Sequence, residues 1–339
     1  MDSCHEADIM RWGIIGTGTI STLFVKDLMV TQGLGANPAR HVIQAVAASS
    51  WQKATDFLEE TAATLQNPTI YTTHEDLYAD SQVDVVYVGK HVLCEKPMGI
   101  NAKEVDEIVA LARQKCVFLM EAVWTRFLPI IDELKRLIHE EMVIGRPSRM
   151  FCDFSCNMAS APPSSRLKDR NQGGGALLDL GIYPLTLSNL ILDGKVGHEA
   201  LCPRISSSMT VIDGVDYSVA VIVNYPSRQS IGVLTASLES TTGRDFCRVE
   251  GSNGTILLSG PMAANPTTIR IQRHGHMEDE VREFNHPGTG LYFEANEVAT
   301  CILTGKLESD VVPLAETRRI AAIMDKVREA GGVVYPQDC

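Results

Sequence analysis

A glycine-rich turn near the N-terminus constrains the fold of this chain more than any other feature. Residues 16–21 read Gly-Thr-Gly-Thr-Ile-Ser, directly after an apolar strand run over 11–16 and before a helical pattern over 21–30. The first glycine permits a tight turn, the second lets a ligand approach the backbone, and the helix N-terminus offers free N–H groups. The spacing predicts a turn that binds the pyrophosphate of a dinucleotide; the alternative is a plain structural turn. The residues predicted to contact the cofactor here are Gly16, Gly18, Thr19 and Ile20.

The rest of the first 122 residues alternates strand and helix patterns, which indicates a parallel, doubly wound sheet. Further apolar strand runs are 41–48, 83–89, 91–94 and 117–120, and further helices follow residue 53 and the capping residue Asn101.

Beyond residue 122 the pattern changes to one helix, closely spaced strands and two closing helices. The strand runs are 148–154, 217–225, 230–238, 247–250, 255–258 and 268–272, and the second and third of these read as a hairpin. We therefore predict an α/β chain with a Rossmann domain over 1–122. A second domain over 123–339 would have an α+β fold with an open, mainly antiparallel sheet. The last helix is expected to pack back on the first domain.

The residues at the end of the second strand run predict whether the chain binds NAD or NADP. Proteins that bind NAD usually place Asp or Glu there to hold the ribose 2′-hydroxyl. This chain has Ser49, Ser50 and Lys53 instead, with no acid between them. Two hydroxyls and an ammonium group suit a 2′-phosphate, so the sequence favours NADP. The alternative is that Lys53 is a solvated lysine at the start of a helix.

Composition excludes several classes of partner. The formal net charge of −12 argues against nucleic acid and anionic membranes. No run in the sequence approaches the roughly 18 apolar residues that span a bilayer, and residues 1–9 lack the apolar core of a signal peptide. The nine cysteines are scattered, with no paired metal-site spacing, so we expect reduced thiols, a cytoplasmic location and no metal.

Three further motifs resemble a known family. They are Glu95-Lys96-Pro97 after an apolar strand, residues 120–127 (Met-Glu-Ala-Val-Trp-Thr-Arg-Phe) and residues 173–184, which begin with three glycines and end in Gly-Ile-Tyr-Pro. Together they resemble the glucose–fructose oxidoreductase (Gfo/Idh/MocA) family over about residues 11–336. Most members have His where this chain has Tyr183. Tyrosine there is typical of the branch containing dimeric dihydrodiol dehydrogenases and fungal NADP-dependent D-xylose 1-dehydrogenases.

The resemblance implies an NADP-dependent dehydrogenase that transfers hydride to or from a CH–OH group of a sugar or trans-dihydrodiol. It implies Tyr183 as general acid or base, Lys96 as its electrostatic partner and a cofactor contact, and Asp179 as the group that orients the substrate. Glu95 would also contact the cofactor. The same analogy implies a homodimer through the second domain and a substrate pocket walled by Trp124, Arg126 and Phe127.

Each of these roles has a structural alternative. Lys96 could be a surface lysine at a strand end, and Tyr183 a half-buried tyrosine on a capped helix. Trp124 and Phe127 could be core residues, and Arg126 could pair with a carboxylate between domains. We interpret the three glycines at 173–175 as a flexible loop on the substrate side.

The sequence departs from the family at Gly89-Lys90, where a loop and helix of roughly 20 residues are absent. Because a parallel crossover needs about a dozen residues, runs 83–89 and 91–94 are predicted not to be adjacent parallel strands. The runs could fuse and leave the sheet one strand short, one could be expelled, or they could pair abnormally and displace Lys96. Two alternatives to an active dehydrogenase follow: a catalytically impaired NADP-binding homologue, or a family member recruited to specialised metabolism with another carbonyl substrate.

Overall fold

The computed structural model describes residues 8–32, 37–86, 90–162 and 164–338. They form two compact units. Unit 1 consists of Met1–Glu95, Val109–Trp124 and His286–Asp310, and unit 2 consists of Lys96–Ile108, Thr125–Asn285 and Val311–Cys339. The division at residue 122, with the last helix packing on the first domain, stays a prediction.

Eight α-helices lie in the described residues. They are α1 (Thr19–Val30), α2 (Trp51–Glu60), α3 (His74–Ala79), α4 (Ala102–Lys115), α5 (Pro129–Lys135), α6 (Ile182–Leu192), α7 (Tyr292–Leu303) and α8 (Leu314–Gly331). Two π-helical turns adjoin them, Arg136–Glu140 after α5 and Leu177–Gly181 before α6.

Unit 1 is built on a six-stranded sheet whose paired strands are all parallel. The strands are β1 (Ile9–Ile15), β2 (Arg40–Ala47), β3 (Thr69–Tyr71), β4 (Val85–Val86), β5 (His91–Glu95) and β6 (Leu119–Ala122). Their order, β3-β2-β1-β4-β5-β6, is that of dinucleotide-binding Rossmann sheets. The predicted fold of this part is therefore confirmed. The sequence patterns missed β3 and α3, because elements of three and six residues carry too little periodicity to recognise.

The prediction that the runs on either side of Gly89 cannot be adjacent parallel strands is wrong. β4 pairs in parallel with β5, with Val85 opposite His91 and Val86 opposite Val92. β4 also pairs with β1, so it lies between them, and both of its residues are fully buried. The described sheet is thus not a strand short, and the runs are not fused. Residues 87–89 of the first run lie outside the described residues.

The physical reason is the length of β4. A dozen-residue crossover is needed when a chain must return along a strand of ordinary length. His91 lies opposite Val85. The chain from Val86 to His91 therefore has to cross one strand spacing, roughly 4.8 Å, and to move back along the strand by about one residue. Four residues separate Val86 from His91, and a chain can span about 3.3–3.6 Å per residue. Four residues are therefore long enough to connect two parallel strands that pair over only two residues, and no crossover helix is needed.

Unit 2 is built on an eight-stranded sheet in the order β14-β13-β12-β11-β7-β10-β9-β8. The strands are β7 (Pro147–Ser155), β8 (Arg204–Ile212), β9 (Val215–Tyr225), β10 (Ser230–Ser237), β11 (Asp245–Gly251), β12 (Gly254–Ser259), β13 (Thr268–Arg273) and β14 (Glu280–Glu283). Each pair of neighbouring strands is antiparallel except the pair β7–β10, which is parallel. The predicted open, mainly antiparallel sheet and the β9–β10 hairpin are confirmed, whereas β8 and β14 were missed.

Helix α6 forms the centre of unit 2, and every one of its residues is buried. The helical stretch Arg170–Leu192 is long and apolar enough, by length and composition alone, to cross a membrane. It contains polar residues such as Asp179, Ser188 and Asn189, so it is not the continuous apolar run that the sequence analysis excludes. In addition, 94% of its most apolar window is buried inside the protein, as expected for a core helix.

The carboxylate of Glu316, in the first turn of α8, connects several elements of unit 2. It is 1% exposed and accepts hydrogen bonds from Asn189 Nδ2 and Gly197 N, both at 2.9 Å. It forms ion pairs with Arg319 at 2.8 Å and Arg126 at 3.3 Å. Burial alone would raise the pKa of Glu316, but these two guanidinium groups lower it below its ordinary value.

We expect Glu316→Ala to lower the free energy of unfolding by about 3–5 kcal/mol, because it removes a buried carboxylate that pairs with Arg126 and Arg319 and accepts two further hydrogen bonds. Urea denaturation followed by circular dichroism measures the change. Glu199→Ala is the matched control, since it removes the exposed ion pair between Lys195 and Glu199, and such pairs contribute little. Equal losses in the two variants would contradict the structural importance of Glu316.

Candidate active site

The glycine turn of unit 1 has the geometry of a phosphate cradle. Gly16 has a φ of +83°, and its N–H donates to the carbonyl of Ala47 at 3.0 Å. Gly18 is the N-cap of α1 and provides no side chain to satisfy the first N–H groups of the helix. A Cβ at Gly16 or Gly18 would meet no atom within 4 Å, so the space above the turn is open. The turn therefore fits the pyrophosphate of a dinucleotide. Its other predicted contacts, Thr19 and Ile20, are exposed and half-buried.

The residues predicted to bind a 2′-phosphate also lie close together. Lys53 Nζ donates to Ser49 Oγ at 3.1 Å, and both residues are exposed. Ser50 caps α2 by accepting a hydrogen bond from Lys53 N at 3.3 Å. The neighbouring Trp51 is 61% exposed. An ammonium group and a hydroxyl at the end of β2 can both donate to a phosphate oxygen.

Buried carboxyl groups lie behind the glycine turn, and the sequence patterns did not reveal them. Asp27 on α1 is 2% exposed and accepts hydrogen bonds from the amides of Gly290 and Leu291, both at 2.7 Å. Glu294 on α7 is 1% exposed, and burial followed by the charges of Glu95 and Asp27 raises its pKa well above the ordinary value. Both Glu95 and Glu294 line a small cavity, whose other residues are Ile14, Ile20, Ser21, Phe24 and Leu291.

The three predicted catalytic residues meet in unit 2. Lys96 Nζ lies 3.3 Å from Asp179 Oδ1 and donates to the Asp179 carbonyl oxygen at 2.5 Å. The same ammonium group lies over the ring of Tyr183, 5.0 Å from its centroid. Tyr183 is 4% exposed, and its ring packs edge-on against Phe154 with centroids 5.4 Å apart. The π-helical turn delivers Asp179 and α6 delivers Tyr183, so the spacing of four residues does place both side chains near Lys96.

A second cation contacts Asp179, and no sequence pattern indicated it. Arg166 Nη2 donates to Asp179 Oδ1 at 2.8 Å, while the Arg166 side chain remains 57% exposed. Burial alone would raise the pKa of Asp179, but the charges of Lys96 and Arg166 lower it below the ordinary value. Asp179 is therefore ionised at neutral pH and can accept hydrogen bonds from a substrate.

The three glycines at 173–175 do not form the open, flexible loop that was predicted from the sequence. All three are buried. A Cβ at Gly174 would lie 2.8 Å from the carbonyl oxygen of Arg166, and Gly175 adopts a φ of +134°. The glycines are needed because the backbone is packed too closely for side chains here.

The three residues predicted to wall the substrate pocket belong to two different units. Trp124 belongs to unit 1 and is 5% exposed. In unit 2, Phe127 is half-buried and Arg126 is 3% exposed, with its charge directed at Glu316. The carboxylate partner considered for Arg126 is thus present, within its own unit. A substrate contact for these three residues stays a prediction. In the described part of the chain, no three His, Cys, Asp or Glu side chains are grouped as metal ligands.

The strand order of the parallel sheet and its glycine turn define unit 1 as a dinucleotide-binding domain. Residues 10–123 match the model of the oxidoreductase family with an NAD-binding Rossmann fold, and residues 131–257 match the GFO/IDH/MocA C-terminal domain. The chain belongs to the GFO/IDH/MocA oxidoreductase family, as the sequence motifs indicated.

Characterised relatives match almost the whole chain. It is 32% identical to the D-xylose 1-dehydrogenase (NADP(+)) of Hypocrea jecorina, over 97% of this chain and 93% of that protein. It is 34% identical to the trans-1,2-dihydrobenzene-1,2-diol dehydrogenase of Sus scrofa, over 97% and 99%. Levoglucosan dehydrogenase, solved in complex with NADH and levoglucosan, shares the fold with a TM-score of 0.79 and 17% identity over 96% and 98%.

We expect Glu294→Gln to stabilise the protein increasingly as the pH rises. The unfolded chain releases the Glu294 proton above its ordinary pKa of 4.5, whereas the folded chain retains it to a higher pH. The folded state therefore loses stability as the pH rises from 4.5 towards the raised pKa, and glutamine removes this loss.

Thermal unfolding between about pH 5 and pH 8 measures the difference in Tm between variant and wild type. Glu59→Gln, on the exposed face of α2, is the control and should show a pH-independent difference. A constant difference for Glu294→Gln as well would contradict a raised pKa at Glu294.

Proposed function

We propose that this protein is an NADP-dependent dehydrogenase that oxidises a CH–OH group of a pyranose sugar such as D-xylose, or of a trans-dihydrodiol. The observation that carries the proposal is the Lys96–Asp179–Tyr183 cluster, in which an ammonium group lies 3.3 Å from a carboxylate and over a phenol ring. The names of the relatives supply the two substrate classes.

The chemistry follows from the charges of these side chains. NADP, held at the turn of Gly16 and Gly18, would supply the hydride acceptor for the carbon that carries the hydroxyl group. The hydroxyl proton must leave as the hydride does, and Tyr183 is the acid–base group that takes it. The ammonium group of Lys96, 5.0 Å from the centroid of the Tyr183 ring, places a positive charge beside the residue that takes the proton. Asp179, held ionised by Lys96 and Arg166, accepts a hydrogen bond from a substrate hydroxyl and orients it.

NADP rather than NAD is proposed from the end of β2. Among the described residues there, Lys53 and Ser49 offer an ammonium group and a hydroxyl 3.1 Å apart, and the sequence places no carboxylate between them. The open space above Gly16 and Gly18 supports pyrophosphate binding at the same edge of the sheet. Glu95, which lines the cavity behind the turn, remains a proposed cofactor contact.

We expect Tyr183→Phe and Lys96→Met to reduce kcat by about 10²–10⁴-fold, because each removes part of the proton transfer. NADPH formation at 340 nm with D-xylose, and separately with a trans-dihydrodiol, measures the loss. Tyr217→Phe, a half-buried tyrosine of unit 2 outside the cluster, is the matched control. Full activity in Tyr183→Phe would exclude this residue as the acid–base group.

A catalytically impaired homologue is the second candidate, favoured by the direct passage from β4 to β5 without a crossover helix. It predicts that NADP raises Tm while neither substrate class is oxidised. Inserting a crossover of about 20 residues between Gly89 and Lys90 would then restore turnover. If this insertion has no effect, the substrate is another carbonyl or hydroxyl compound, as for a member recruited to specialised metabolism.

We expect Lys53→Glu to raise KM for NADP by about tenfold or more and to leave KM for NAD almost unchanged. The substituted carboxylate repels a 2′-phosphate and can accept a hydrogen bond from a 2′-hydroxyl. Steady-state kinetics with both cofactors provide the measurement, and Lys103→Glu on the exposed side of α4 controls for the change in net charge. An equal effect on both cofactors would rule out a 2′-phosphate contact.

The proposed homodimer would use the open face of the unit 2 sheet. Side chains on this face of β8 and β9 are exposed, including Ser206, Ser208, Ala220 and Ile222. The cytoplasmic location is likewise a proposal, which rests on scattered cysteines that are free thiols wherever the structure describes them.

A further inference from the structure

A buried aspartate outside the catalytic cluster contacts the turn that carries Asp179. Asp216, at the start of β9, is fully buried, and its Oδ2 accepts a hydrogen bond from Leu177 N at 2.7 Å. Leu177 opens the π-helical turn that contains Asp179 and continues into the helix of Tyr183. One carboxylate therefore anchors the backbone two residues before Asp179.

The approach of Asp216 is possible only because of the adjacent glycines. A Cβ at Gly175 would collide with Asp216 Oδ1. The preceding residue, Gly174, accepts a hydrogen bond from the Tyr335 hydroxyl at 2.5 Å. The glycine loop is thus held from β9 on one side and from the C-terminal segment on the other.

The same C-terminal segment also holds the chain that follows Lys96. Asp338 accepts a hydrogen bond from Asn101 Nδ2 at 2.9 Å and from Tyr335 N at 2.8 Å, and it pairs with Arg328 at 2.7 Å. Asp325 on α8 accepts from Ala102 N at 2.9 Å. The two backbone segments that deliver Lys96 and Asp179 are therefore fixed by one connected network.

We propose that Asp216 is a positioning residue of this enzyme, which in its ionised form holds the Leu177–Gly181 turn so that Asp179 and Tyr183 meet Lys96. The proposal rests on the proposed function, because it assigns Asp216 a role in the turnover of that site. Its hydrogen bond from Leu177 N lets Asp216 act through the backbone of the turn.

The ionisation of Asp216 makes this role dependent on pH. Burial raises the pKa of Asp216 to about 6, although the amides of Leu177 and Asp216 itself and the charge of Arg328 act to lower it. The charged and titratable groups that face it are Arg328 from α8 and Tyr335 from the C-terminal segment, and Arg170 packs against the neighbouring Gly214. The pKa of Asp179 is lowered, so Asp179 stays ionised through this range.

A proton on Asp216 weakens its hydrogen bond to the Leu177 amide, since charged acceptors bind more strongly than neutral ones. kcat is therefore expected to fall as the pH decreases through about 6. The substitution Asp216→Asn keeps an oxygen acceptor for Leu177 but introduces a side chain that cannot titrate. The substitution Asp216→Ala removes the acceptor altogether.

The experiment compares the pH dependence of kcat in wild type, Asp216→Asn and Asp216→Ala, with the exposed Asp213→Asn as the matched control. We expect wild type and Asp213→Asn to lose activity on the acid side near pH 6, and Asp216→Asn to lack this decrease. Asp216→Ala should reduce kcat by about 10–100-fold at pH 8 while the dissociation constant for NADP stays within about twofold. An unchanged acid limb in Asp216→Asn, or full kcat in Asp216→Ala, would overturn the proposal.

Hydrogen–deuterium exchange on the same proteins separates this proposal from the proposed function. Asp216→Ala should expose the amides of residues 176–180 to faster exchange, and Asp216→Asn, whose neutral oxygen is a weaker acceptor than the carboxylate, should protect them to an intermediate degree. If wild type oxidises no substrate but the exchange pattern holds, the proposed function fails and the anchoring by Asp216 stands. If exchange in Asp216→Ala equals that of wild type, the positioning role is refuted whether or not the protein turns over.

Discussion

The ion pair between Lys96 and Asp179 is the interaction on which the site of unit 2 depends. It joins residues that are 83 positions apart in the chain, and both side chains are largely buried. A buried ammonium group is stable only when it is compensated, so the pair requires both backbone segments to be held in place. The close packing of Gly173–Gly175, the carboxylate of Asp216 and the network around Asp338 meet that requirement. These three features of unit 2 therefore keep the two charged side chains in contact.

Local patterns were sufficient to predict most of the architecture. The period of two in β9 and β10 and the glycine turn before α1 each follow from interactions within a few residues, and both are confirmed. Residues 95–97 and 173–184 led to the right family because they form contiguous motifs. Lys96, Asp179 and Tyr183 were predicted together from those motifs, and the structure does bring them together, although their catalytic roles remain proposals.

What sequence reasoning missed depends on contacts between distant segments. Arg166 reaches Asp179 from a short 3-10 turn, 13 residues away, and Asp216 reaches Leu177 across 39 residues, so neither contact leaves a periodic pattern. A run of three glycines predicts flexibility, whereas the packing of the Arg166 carbonyl and of Asp216 requires glycine at 174 and 175. The rule for parallel crossovers failed at β4 because it assumes strands of ordinary length. Patterns report what a segment prefers, and they do not report what is packed against it.

The direct passage from Val86 to His91 also changes the entropy of forming the sheet. Pairing two strands closes a loop, and the entropic cost grows with the logarithm of loop length. A connection of four residues in place of one about 20 residues longer lowers that cost by roughly 1.5 kcal/mol, provided the short segment is not strained. The contact between β4 and β5 thereby becomes local in sequence, and local contacts form early in folding. The pairing of β4 with β5 is thus a short-range contact, which can form before the longer-range pairings of the sheet.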